Sequence, residues 1–164
     1  MSPKTTRILA LVVVAAVAAL VAAAALLFLG GGESSASKAD YTATVVNAVD
    51  RVDFALVRIT KSTSEDELIE RIDEASAVVG AVAADLDDAG VAEGFESTHE
   101  ELVDVARAFS DELAGTAEQF RDPTVGPTLL QNINSLGFES WDKMNGVLAD
   151  LQEQGLDVEQ LPRH

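Results

Sequence analysis

The chain has 164 residues, 28 acidic against 11 basic side chains, a formal net charge of −17 and no cysteine. That length suits one domain with one core, and the missing thiols exclude a disulfide framework, a thiol nucleophile and a thiolate metal site. The acidity works against nucleic acid and anionic lipid headgroups, and suits a salty medium, a basic partner or loose cation binding.

Residues 1–7 carry Lys4 and Arg7, and Ile8 to Leu29 follow with no charge, proline, glycine or polar side chain. As a helix this stretch covers roughly 33 Å at ~1.5 Å per residue, enough for one membrane span whose backbone satisfies itself in lipid. Positive charge before the span and GGGESS after it keep residues 1–7 in the cytoplasm and send the rest outside. Ser34-Ser35-Ala36 offers a signal-peptidase site, so secretion after cleavage near Ala36 is the lesser alternative. A cleaved signal has an apolar core of only ~7 to 15 residues, so 8–29 reads as a retained single-pass signal anchor. Alanines at 15, 19 and 23 have small-xxx-small spacing, which alanine-rich composition already explains.

Residues 30–38, rich in glycine and serine, predict a flexible tether. The domain 39–164 follows, with 27 acidic and 9 basic side chains from Lys38 onward. From Asp40 to Thr60, Tyr41, Val45, Ala48, Val52, Ala55 and Ile59 step by four and three, which predicts an amphipathic helix. Ser64 with Glu67 is a capping box opening a second helix through Leu68, Ile72, Ala75, Val79, Val82 and Leu86 to Gly90. Ser97 with Glu100 predicts another box, and a third helix carries Leu102, Val105, Ala106, Phe109, Leu113, Ala117 and Phe120 to Arg121. Residues 122–137 hold Pro123, Gly126 and Pro127, with one helical turn expected over Thr128 to Ile133; their apolar side chains suit a cover for one end of a bundle. Phe138 to Gln154 places Trp141, Met144, Leu148 and Leu151 on one face, with Trp141 expected as a core anchor and Gly155 as C-terminal cap. Leu156, Val158 and Leu161 can dock on the bundle. The chain therefore reads as all-α: a transmembrane helix, then an antiparallel up-down-up-down four-helix bundle, similar in outline to the periplasmic bundle of bacterial chemoreceptors.

One spacing carries chemistry. Asp85, Asp87, Gly90, Glu93 and Glu96 fall at positions 1, 3, 6, 9 and 12 of DLDDAGVAEGFE, so these twelve residues resemble an EF-hand loop. The resemblance implies Ca2+ held by Asp85, Asp87, Glu93 and Glu96, although Ala89 at position 5 brings no ligand. Glu96 and His99 have the E-x-x-H spacing of di-iron bundles, which require a second such motif; His99 is expected on the exposed first turn of its helix. No nucleophile-elbow pattern, phosphate-binding glycine loop or catalytic residue stands out. The expected function is non-enzymatic: an extracytoplasmic interaction or scaffolding module for another envelope protein, binding no nucleic acid, with a sensory or ligand-binding domain as the alternative.

Overall fold

The computed structural model describes residues 36–131 and 137–163, all within the unit Ser35–His164. The stretch 8–29 lies outside the described residues, and among these no helix is long and apolar enough to cross a membrane. The described residues form helices and no strand: α1 Lys38–Ile59, α2 Glu65–Asp87, α3 Glu96–Arg121, a short α4 Gly126–Gln131 and α5 Glu139–Glu153.

Capping chemistry sets most of the helix starts. α1 begins two residues before the predicted Asp40 because Ser37 is its N-cap, its Oγ accepting from the Asp40 amide at 3.1 Å. Ala36 already belongs to the domain: its amide donates to the Val91 carbonyl at 3.1 Å. α2 opens on Ser64, whose Oγ accepts from the Glu67 amide at 3.2 Å. The return bond reaches one residue further, to the Thr63 amide at 2.9 Å and hydroxyl at 2.8 Å, and these donors hold the Glu67 carboxyl below its ordinary value. The third helix departs from expectation. It starts at Glu96 with Phe95 at the N-cap position and no side-chain cap, so the Ser97–Glu100 box does not form. Phe95 is buried against the Tyr41 ring, centroids 5.6 Å apart, and packing fixes this start in place of a hydroxyl.

Each long helix runs antiparallel to the one before it, as the pairs Arg51–Asp85 (2.6 Å) and Arg58–Glu74 (2.9 Å) show for α1 and α2. Arg107–Asp87 (2.7 Å) and Arg121–Asp73 do the same for α2 and α3. α2 supplies the carboxylate in all four. Ion pairs this exposed are worth about 0–1 kcal/mol each, so they set register while the core supplies the stability. Tyr41, Ile72, Leu86, Phe109, Leu113 and Leu148 are fully buried there. α2 and α3 approach most closely where side chains are small: Ser76 and Ser110 each donate a hydroxyl to the other's carbonyl at 2.9 Å, and a Cβ on Gly80 would stand 3.0 Å from Ser110 Oγ.

α5 is capped from outside itself. Phe138 brings no cap, and the Glu112 carboxylate of α3 accepts from the Glu139 and Ser140 amides at 2.8 and 2.9 Å. Glu112→Ala is expected to cost about 2 kcal/mol, because two bonds to a charged acceptor vanish and two amides at the start of α5 lose their partner. Urea unfolding should show a lower midpoint with an unchanged slope, and Glu112→Gln should recover part of the loss. The connection before α5 is helical from Gly126, earlier than the expected Thr128. A Cβ on Gly126 would overlap the Phe120 carbonyl, so glycine is what lets α4 fold back on α3; residues 132–136 lie outside the described residues.

The end of α5 is a Schellman motif: Gly155, at φ 90°, donates to the Gln152 carbonyl and Leu156 to the Leu151 carbonyl, at 2.8 and 2.9 Å. Beyond it the chain turns back along α5 as a strap. Leu156, Val158 and Leu161 are buried, and the Asn145 amide grips Leu161 both ways, accepting from its N–H at 2.7 Å and donating to its carbonyl at 3.1 Å. The backbones of α1 and α5 come close at few points. The strap lies along their seam: Gly155 stands against the Lys38 ammonium at the start of α1, and Pro162 and Arg163 share a cleft with Leu56 and Ile59 near its end.

Candidate functional site

The EF-hand-like segment is placed as follows. α2 continues to Asp87, so Asp85 and Asp87 stand on a helix and face arginines, Asp85 paired with Arg51 and Asp87 with Arg107. Glu93 is exposed, and Glu96 turns back to accept from the Gly94 amide at 3.0 Å. Asp87 and Glu96 line an open hollow of about 480 Å³ beside His99. Among the described residues no three His, Cys, Asp or Glu side chains are arranged to hold a metal ion.

His99 is buried, against the expectation of an exposed first turn. Its Nδ1 lies 3.2 Å from the Tyr41 hydroxyl, and the Leu86 carbonyl of α2 favours a proton on the ring. With Nδ1 accepting from the phenol, the neutral imidazole carries its proton on Nε2. The residue therefore ties α1, α2 and α3 together at the end where the chain enters the domain. Burial pushes its pKa below the ordinary 6.5, against the opposing pull of the Leu86 bond and the Asp87 and Glu100 charges. Burial also pushes Tyr41 up to about 12. Below pH 6.5 the unfolded chain takes up the histidine proton first, so the stability due to neutral His99 is present above that value and lost as pH falls. Unfolding free energies across about pH 5 to 8 should thus fall more steeply on acidification for the parent chain than for His99→Gln, in which this side chain does not titrate.

At the other end of the bundle lies an open cleft of about 880 Å³. Its apolar walls come from Leu56 and Ile59 of α1, Leu68 of α2, Leu130 of α4, and Phe138 and Trp141 at the start of α5. Three elements leave it open: α1 ends at Ile59, α2 starts only at Glu65, and of the strap only Pro162 and Arg163 line it. Ser62 in the intervening turn has a buried Oγ without a hydrogen-bond partner. Trp141, expected in the core, is half-buried at the cleft, and the Arg163 guanidinium lies over its ring at 4.8 Å.

No family model, curated protein or solved structure matches this chain.

The cleft and the clamp divide the labour of the domain. At one end His99 is buried against Tyr41 beside a small hollow. The opposite end keeps large apolar side chains partly uncovered around a polar rim, the composition of a binding site. Sequence periodicity had assigned Ile59, Leu68 and Trp141 to helix faces. Their convergence depends on where α1 stops and α2 starts, which periodicity does not fix.

Proposed function

We propose that this chain is a non-enzymatic module held in the cell membrane by residues 8–29, with residues 1–7 in the cytoplasm and the bundle outside, and that it binds another envelope protein. The supporting observation is the cleft, apolar in its walls and set at the end of the bundle opposite Ala36, where the tether joins. Partner surfaces of this kind seat a few large side chains in a desolvated centre with a polar rim. The reading is tested in native membranes with a photo-crosslinking side chain at Thr60, on the rim, and a control at Gln119 on exposed α3. One adduct of fixed mass from Thr60 and none from Gln119 is the expected result. No adduct, or the same adducts from both positions, overturns it.

A volume of about 880 Å³ also suits a small molecule, which keeps a sensory or ligand-binding domain as the second reading. Ca2+ at residues 85–96 is one form of it, and would require Arg51 and Arg107 to release Asp85 and Asp87. A thermal midpoint raised by calcium and not by magnesium at equal ionic strength would support that form. Equal shifts would reduce it to screening of an acidic surface.

A further inference from the structure

We propose that the segment the cleft receives is cationic and carries an arginine, and that Arg163 of the strap is its resident stand-in; this rests on the reading of the cleft as a partner site. Arg163 places its guanidinium 4.8 Å over the Trp141 ring and donates from Nη2 to Asp142 Oδ1 at 3.1 Å. An aromatic face and a carboxylate together make a complete guanidinium seat. The occupant is held loosely. The Arg163 side chain is 78% exposed, while Leu161, two residues earlier, is 2% exposed. The strap is thus anchored up to Leu161, and the arginine beyond it can leave its seat without undocking the rest.

Charge decides what replaces it. Arg163 is the single basic residue among the described residues lining the cleft, which also presents Glu65 and Asp142. With Arg163 displaced, the charges left among the described lining residues are the carboxylates Glu65 and Asp142, on a domain with 27 acidic and 9 basic side chains from Lys38 onward. An anionic or neutral guest would leave Asp142 without its partner, whereas an arginine from another chain restores both the ion pair and the stacked ring. Apolar neighbours of that arginine find Leu56, Ile59 and Phe138.

Trp141 is the only tryptophan in the chain, so its emission reports on the seat. The full-length protein in detergent micelles is titrated with acetyl-Leu-Pro-Arg-amide, which copies residues 161–163, and with the Lys and Glu versions of that peptide. Three chains are compared: the parent, Arg163→Ala, and Arg163→Ala with Asp142→Asn. Both altered side chains are mostly exposed, so the fold is not at stake. In Arg163→Ala the arginine peptide should change the emission saturably, with an apparent Kd about tenfold below that of the parent, whose own arginine competes. Adding Asp142→Asn should weaken the peptide about tenfold again, since a charge-assisted bond is lost. The lysine peptide should bind more weakly, and the glutamate peptide should give no saturable change. No saturable response to the arginine peptide in Arg163→Ala, or equal responses to the arginine and glutamate peptides, overturns the inference. A Thr60 adduct that persists alongside such a result leaves partner binding standing with a different occupant; a missing adduct overturns partner binding itself.

Discussion

A chain that stops at Asp157 is expected to lose at least as much stability as any single substitution at residues 158–163 of the strap, about 2–5 kcal/mol. Stopping there keeps the Schellman cap and Leu156, so the end of α5 is undisturbed. What goes is Val158, Leu161 and the side-chain bonds from Asn145 and Gln152 that hold them. The lower bound follows from thermodynamics rather than from contact energies. Leu161→Ala in a docked strap should cost about 2–5 kcal/mol for a buried leucine, but no strap substitution can cost more than releasing the strap altogether. Truncation is therefore the ceiling on which Leu161→Ala and Val158→Ala, alone and together, must converge. The loss is large because the backbones of α1 and α5 come close at few points and the strap side chains Val158 and Leu161 are part of the buried core. Against a total of ~5–15 kcal/mol for a domain, it should bring the denaturant midpoint down steeply and shift Trp141 emission to the red. An unchanged midpoint would mean that the seam closes without the strap.

The long helices were legible because their apolar steps of three and four are a property of each segment alone. Tyr41 to Ala55, Leu68 to Leu86 and Leu102 to Phe120 are buried at the expected positions. Where tertiary contacts decide, local signals misled. Ser37 looks like the last serine of a tether and is a helix cap. Ser97 and Glu100 have the letters of a capping box, yet burying Phe95 beside Tyr41 sets the start of α3 two residues earlier. Glu112 reads as one more solvated carboxylate, and only the folded arrangement brings it to the open end of α5, 27 residues on. His99 continues the apolar stripe of α3, three residues before Leu102 and four before Val103, but an imidazole at that position reads as polar until the fold brings Tyr41 of α1 against it. The same limit applies to the cleft: its wall residues come from α1, α2, α4 and α5, and the strap that borders it has too few residues to show a period.

Phe109→Ala is expected to be among the most damaging point substitutions in the bundle, at about 3–5 kcal/mol. The ring is completely buried in the middle of α3 and packs on Phe138, centroids 5.8 Å apart at 53°. Removing it loses the burial of a large side chain, leaves a cavity, and forfeits an aromatic contact worth about 0.5–1.5 kcal/mol beyond area. Phe109→Leu should cost far less, because it refills most of the volume. The position also tests how α5 is held. Phe109 and Glu112 are three residues apart on α3; the first packs on Phe138 and the second accepts from the Glu139 and Ser140 amides directly after it. One apolar and one charged contact thus fix the same turn of chain. If each needs the other to keep that turn in place, Phe109→Ala and Glu112→Ala will be sub-additive, with a coupling of about 0.5–3 kcal/mol in a double-mutant cycle of unfolding free energies. Simple additivity would mean that the start of α5 stays where it is when either support is gone, and that the remaining walls of the cleft position Phe138 and Trp141.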